Sequence, residues 1–391
     1  MEVYMSSLPE HPCLDQYRRQ AKDLLHAAKA GDPSVLELFR ATHPKCLDKP
    51  QLKLTDAQYV VARREGYASW PKFRDAVVTA ETKDFFDEVE NADVEAVQRR
   101  LARMPKLVNA TREGGESALH VAAGHNDVAL AEVLVKAGAD TKRLFGYSAH
   151  TALSWAITVG SFEFAQELVR LGDEPDLFSA AGLGDLGRVQ AFWREGKMRS
   201  HPSTTGSSRF AADGTRLPRP PETELEVISD AMVIACRNGH PDVALWLLSK
   251  GADLTFRGYI GGTALHWAEY SGNQELCAKL RAAGASDELE DAEFLAHPVA
   301  FGLLVTAAWG IVPRLSRLLD IHPENVNIRG GYGTALNAAA WNNQLECAKL
   351  LLSRGADATL KNAAGLTPLE VAYHKGFPEL VVLFESIAKK D

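Results

Sequence analysis

The chain has 391 residues, with 43 Lys+Arg against 51 Asp+Glu, a net charge of -8, 46% hydrophobic residues and 8% aromatics. At about 150 residues per domain, that length and apolar content suggest two or three cores and exclude disorder as the main state. The acidic balance and the lack of a basic block argue against nucleic-acid binding, which needs cations arrayed along phosphates.

Residues 1–20 carry Glu, Pro, Asp and Arg where a secretory signal needs an apolar core, and no long apolar run follows. The expectation is a soluble cytoplasmic protein with no membrane partner. Cys13, Cys46, Cys236, Cys277 and Cys347 are odd in number and widely spaced, so neither a disulfide framework nor a zinc ribbon is readable. They read as reduced, buried small residues. Over residues 1–80, Leu24-Leu25-His26-Ala27-Ala28 with Gly31-Asp32, and Val60-Val61-Ala62 with Gly66, predict degenerate helix pairs forming an N-terminal segment or cap. Phe85-Phe86-Asp87 with Asp93 opens a block running over 81–197. Asn109-Ala110-Thr111 fits a glycosylation acceptor but has no meaning without a secretory route.

From there a period emerges. Ser117-Ala118-Leu119-His120, Thr151-Ala152-Leu153-Ser154, Thr263-Ala264-Leu265-His266, Thr334-Ala335-Leu336-Asn337 and Thr367-Pro368-Leu369-Glu370 share one pattern, and several are 33 or 34 residues apart. Asn126, Gly160, Gly272, Asn343 and Gly376 stand nine residues after each Ser/Thr, and Gly138, Gly251 and Gly355 end three of the apolar runs that follow. The grammar is a capped helix, a tight turn, a second helix and a glycine-punctuated hairpin. Weaker copies run through Leu177–Gly184, Asp230–Gly251 and Phe301–Leu319, the last turning at Gly310.

These motifs resemble the ankyrin repeat, with its T-P-L-H signature and 33-residue period. The resemblance implies an all-α solenoid of about ten stacked helix-turn-helix units with short hairpin fingers. It covers the chain from about Asp84 onward. Residues 20–80, with Ala68-Ser69-Trp70-Pro71-Lys72-Phe73, look like the segment that precedes such arrays in some prokaryotic proteins. Residues 198–226, rich in Pro, Gly and Ser, read as an insertion loop before a second repeat block over 227–391 that ends in a C-terminal cap.

Three chemical signals stand out in the sequence. Gly182-Leu183-Gly184-Asp185-Leu186-Gly187 fits G-x-G-x-x-G, but a helical run precedes it where a nucleotide site needs a strand. On the resemblance, His120 and His266 tie repeats together by hydrogen-bonding hairpin backbone, and His125 and His240 belong to inter-helix turns. No His pair has metal-site spacing, and no cofactor or metal is expected. Glu269, at a position where the family places a small residue, is a candidate general acid or base, with Glu116 a weaker one.

Tryptophan placement is the most informative feature. Counting from each signature Ser/Thr, Trp155 and Trp267 fall at offset 4, Trp341 and Tyr270 at 7 and Trp309 at 8, which share a helix face. Each Trp carries on the order of 200 Å², so several exposed together would exceed the patch of roughly 300 to 600 Å² normal for a monomer. With Tyr147, Tyr259 and Tyr332 in the fingers and Arg237, Asn238, His374 and Lys375 at offsets 7 and 8, these residues make a candidate binding groove. The resemblance implies a binding module for a protein or peptide partner in the concave groove. The alternative is an aromatic pocket for a small molecule, for example a carbohydrate, or a hydrolase or lyase using Glu269.

Overall fold

The structure is a computed structural model that describes residue 8, residues 12–43, residue 46 and residues 51–145, 150–199, 223–258, 262–286, 298–330 and 333–388. It divides into two compact units, residues 1–110 and 111–391.

The first unit contains α1 (Leu14–Lys29), α2 (Pro33–Thr42), α3 (Leu54–Arg64), α4 (Trp70–Glu90) and α5 (Val94–Arg103). Helix starts follow local chemistry: Asp32 Oδ1 accepts from the Ser34 and Val35 amides at 2.9 and 3.3 Å, with Pro33 supplying a preset φ at the first position. The core gathers Tyr17, Phe39, Val60, Phe73 and Val77, with Tyr17 and Phe73 edge to face at 4.7 Å. Cys13 gives α1 no side-chain cap, and the distant Glu81 substitutes, its carboxylate accepting from the Leu14 amide at 2.7 Å. Burial pushes the Glu81 carboxyl up, and the Leu14 amide only partly offsets this. Because α4 runs unbroken across residue 80, compactness breaks after Ala110 and not at the expected boundary near 80/81.

The second unit is a series of antiparallel pairs: α6 (Ala118–His125) with α7 (Val128–Lys136), α8 (Ala152–Val159) with α9 (Phe162–Arg170), and α10 (Leu177–Gly182) with α11 (Leu186–Ala191). A short ribbon of β1 (Trp193–Arg194) and β2 (Lys197–Met198) follows. Then come α12 (Glu224–Asn238) with α13 (Pro241–Ser249), α14 (Ala264–Tyr270) with α15 (Gln274–Ala282), and α16 (Pro298–Ala308) with α17 (Val312–Ile321). The series ends with α18 (Ala335–Trp341) and α19 (Leu345–Ser353), then α20 (Pro368–Lys375) and α21 (Pro378–Ala388). First helices pack side by side along the series, and each packs on its own second helix.

The capping residues read from the sequence do their work. Thr151, Thr334 and Thr367 accept from the amides of Ser154, Asn337 and Glu370 at 3.2 to 3.3 Å. Asn126, Gly160, Gly272, Asn343 and Gly376 have φ between 56 and 86°, the left-handed conformation that reverses the chain between paired helices. Repeats are stitched through the signature position: His120 Nε2 donates to the His150 carbonyl at 3.0 Å, which places the proton on Nε2 and leaves Nδ1 to accept from Ser117 Oγ at 2.7 Å. Asn337 does the same with an amide, accepting from the Thr334 N–H at 2.9 Å and donating to the Leu360 carbonyl at 3.0 Å.

One boundary moves. Asp230, expected near a helix start, lies two turns inside α12, because Thr223 and Glu226 form a capping box upstream. The β2 strand ends at Met198 before the insertion and α12 is capped at Thr223 after it; residues 200–222 lie outside the described residues. Cys46, Cys236, Cys277 and Cys347 are buried, and burial pushes the Cys347 thiol up to about 12.

Candidate functional site

Solenoid repeats normally touch only their neighbours. Here the α8–α9 pair also meets the α16–α17 pair, four pairs further along. Trp155 and Trp309 meet with centroids 5.2 Å apart and planes tilted by 59°, and Arg317 lies over the Phe162 ring at 5.7 Å. Arg314 packs on the Gly160 turn so closely that an added Cβ would stand 2.7 Å from Arg314 Cδ. With φ at +86°, Gly160 is needed twice, for its backbone and for this approach.

Inside the closure, Arg314 Nε donates to Tyr270 Oη at 3.0 Å and Nη1 to Asn238 Oδ1 at 3.2 Å. Asn238 Nδ2 in turn donates to the carbonyls of Gly182 at 2.9 Å and Ile157 at 3.3 Å, joining α12 to α10 and α8. Arg237 Cζ sits 4.9 Å from the Trp267 ring centroid, and Trp267 meets Tyr270 edge to face at 5.1 Å. Burial alone would raise the Tyr270 phenol, but the guanidiniums of Arg314 and Arg237 outweigh it and hold the hydroxyl below its usual range.

This arrangement corrects much of the expected groove. Trp155, Trp267, Tyr270, Arg237 and Asn238 are all less than 10% exposed. They share the expected helix face, but the stack curls until that face is covered by other pairs. Trp309 and Trp341, in contrast, are 50% and 47% exposed, and His374 is exposed near the end of α20. Lys375 Nζ lies 4.2 Å from the Trp341 ring centroid, a cation–π contact bridging adjacent repeats. The surface left open is thus the inner side of α16, α18 and α20, beyond the point where the stack closes. Tyr147, Tyr259 and Tyr332 lie outside the described residues.

The acid–base candidates are engaged elsewhere. Glu269 bonds Arg281 on α15, the outer helix of its own pair, instead of turning toward Trp267 and Tyr270. Glu116 faces Arg112 at 3.7 Å across a finger closed by the Thr111–Ser117 bridge, while both His120 nitrogens are occupied by Ser117 and His150. Two open clefts of about 440 and 450 Å³ lie at Asp23, Leu24 and Arg64, and at Asp173, Arg188 and Phe192; neither is lined by these aromatics or by Glu269. The features that suggested an enzyme pocket are therefore not brought together. Gly182 and Gly187 sit in α10 and α11 with the Gly184 turn between them, so the G-x-G-x-x-G match is repeat geometry.

Sequence reasoning missed Arg314. Its residue type and its place after Pro313 at the start of an outer helix carry no mark of the inward role. Only the curvature accumulated over several repeats brings it to the Gly160 turn.

Helix pairs stacked through shared caps and signature-position side chains define a helical repeat solenoid. Family comparisons name it: descriptions of ankyrin repeats match residues 87–179 (three copies), 230–256 (a single repeat) and 318–372 (many copies). The chain is an ankyrin-repeat protein. It is 25% identical over 337 residues to ankyrin repeat domain-containing protein SAT10 of Stachybotrys chartarum, covering 78% of this chain and 17% of that protein. It is 34% identical over 147 residues to a B-cell lymphoma 3 protein homolog of Mus musculus, covering 36% of this chain and 32% of the relative. Against human protein phosphatase 1 regulatory subunit 27 it is 36% identical over 90 residues, covering 23% of this chain and 53% of the relative. The chain thus spans about half or less of these relatives' lengths. Among the described residues no helix is long and apolar enough to cross a membrane.

Proposed function

We propose that this protein recognises a protein or peptide partner through the inner surface of α16, α18 and α20. Ankyrin repeats in general mediate protein–protein interaction, and the name of one relative marks it as a regulatory subunit of a protein phosphatase. The observation that carries the reading is the half exposure of Trp309 and Trp341 on neighbouring inner helices, while the other inner aromatics are covered. Exposed tryptophan suits the centre of an interface, where Trp, Tyr and Arg supply most of the contact energy.

A photo-crosslinking residue placed at Asn342, next to Trp341, tests this in cells. A discrete protein adduct is expected from Asn342 and not from Lys349, which lies on the outer helix α19. Equal labelling from the two positions, or none from Asn342, overturns the proposal.

A further inference from the structure

The charges around the open surface say what kind of partner it takes. Arg329 Nη2 donates to the Lys361 carbonyl at 2.7 Å, clasping the finger before α18 to the finger before α20 and setting two exposed cations side by side. Lys375 covers Trp341, and His374 is exposed beside it. Several carboxylates of the same stretch already have partners, by ion pairing or by hydrogen bonding. Asp320 pairs with Arg354 at 2.6 Å and Glu346 with Lys349 at 2.6 Å, while Glu385 on α21 takes the Tyr373 hydroxyl. Asp357 accepts from Thr359 N and Oγ1 at 2.8 and 2.6 Å. Glu370, whose carboxyl also feels Lys361 and His374, accepts from Thr367 N at 2.7 Å and Oγ1 at 3.0 Å as the cap of α20.

A chain of net charge -8 thus presents exposed Arg329 and Lys361 on the fingers before α18 and α20 and Lys375 over the half-exposed Trp341, with exposed His374 beside it and Trp309 half-exposed on the neighbouring inner helix. Sign complementarity over such a patch steers encounter and selects partners more than it adds affinity, and like charges opposite it are rejected. We infer that the occupant is an acidic peptide segment with an aromatic or aliphatic anchor, the anchor lying on Trp309 and Trp341 and the carboxylates meeting the cations. This rests on the groove reading above and adds the partner's chemistry.

The test is selection of a displayed random 12-residue peptide library on the full chain, with counter-selection on the Trp309→Ala/Trp341→Ala double variant. The expected result is tryptophan-dependent binders enriched in Asp and Glu over the input library. A synthetic binder should lose at least tenfold in affinity when its Asp and Glu become Asn and Gln, and should weaken as salt rises from about 50 to 300 mM. Lys361→Glu and Lys375→Glu, both at exposed positions, should shift selection toward neutral or basic peptides. Tryptophan-dependent binders without acidic enrichment overturn this inference and leave the groove reading standing. Absence of tryptophan-dependent binders overturns both.

Discussion

Arg314 and Tyr270 meet twice: the guanidinium Nε donates to the phenol oxygen at 3.0 Å, and Cζ lies 5.1 Å from the same ring's centroid. Both residues are buried, and Arg314 also donates to Asn238 Oδ1 and to the Arg237 carbonyl. One side chain thus joins α17, α14, α12 and the Gly160 turn, coupling helix pairs that a simple solenoid would leave independent.

Cutting that joint should be costly and non-additive. Arg314→Ala leaves the Asn238 carbonyl and the phenol short of a donor and empties the space against Gly160, a loss of about 2 to 4 kcal/mol. Tyr270→Phe should cost about 1 to 2 kcal/mol, and a double-mutant cycle should return a coupling of about 1 to 2 kcal/mol. Urea unfolding followed by circular dichroism measures all three. Arg314→Ala should also broaden or split the transition as distant pairs uncouple. Additive single effects would show that Arg314 and Tyr270 are not coupled.

The Tyr270 phenol gives the second unit a pH signature. With its folded value held below the usual value of about 10, the folded state releases the proton first as pH rises. Stability relative to Tyr270→Phe should therefore grow as pH climbs from the depressed folded value toward 10, and be full above it. Paired denaturation curves between pH 7 and 10 give this difference, with tyrosinate absorbance locating the titration. A flat difference across that window would mean the arginines do not bias the hydroxyl.

The repeats were legible because each carries its own instructions. Thr334 with Asn337 and Thr367 with Glu370 write the caps, and Asn126 and Gly160 write the left-handed turns within a few residues of the helices they end. The early start of α12 was also written, in Thr223 and Glu226, but the repeat phase pointed instead at Asp230. Closure was not legible, since it depends on curvature summed over pairs. That is why Trp267 and Trp341, both on the helix face read as the groove, end up buried and half-exposed respectively. Further along the array, Trp309, Trp341 and His374 stay open to solvent.

Tryptophans on that one expected face should separate sharply on truncation. Trp267→Ala removes a ring that is 2% exposed and in contact with Tyr270 and Arg237, a loss of about 3 to 5 kcal/mol. Trp341→Ala, at 47% exposure, should stay within about 1 kcal/mol of the parent. Trp309→Ala should fall between them, since its ring is half-exposed yet in tilted contact with Trp155. Equilibrium denaturation ranks the three, and comparable losses for Trp267 and Trp341 would contradict the closure.

His120 should make the repeat junction acid-sensitive. Burial depresses its pKa, and the His150 carbonyl bond only partly restores it. The folded value then lies below the unfolded value of about 6.5, so the contribution of the neutral ring is complete above 6.5 and is lost as pH falls toward the folded value. Asn337 shows that an amide can span the same gap, accepting from the amide of the preceding Thr and donating to the next finger. His120→Asn should therefore cost no more than about 1.5 kcal/mol at pH 7.5, and its stability should change less than the parent's between pH 7.5 and 5. His120→Ala, which breaks both bonds, should cost about 2 to 4 kcal/mol at pH 7.5. Denaturation of the three proteins at both pH values reads this directly. An Asn variant as acid-sensitive as the parent would place the titrating group elsewhere, with His240 next to test, since burial also lowers its pKa and its ring bonds the Gly182 carbonyl at 3.1 Å.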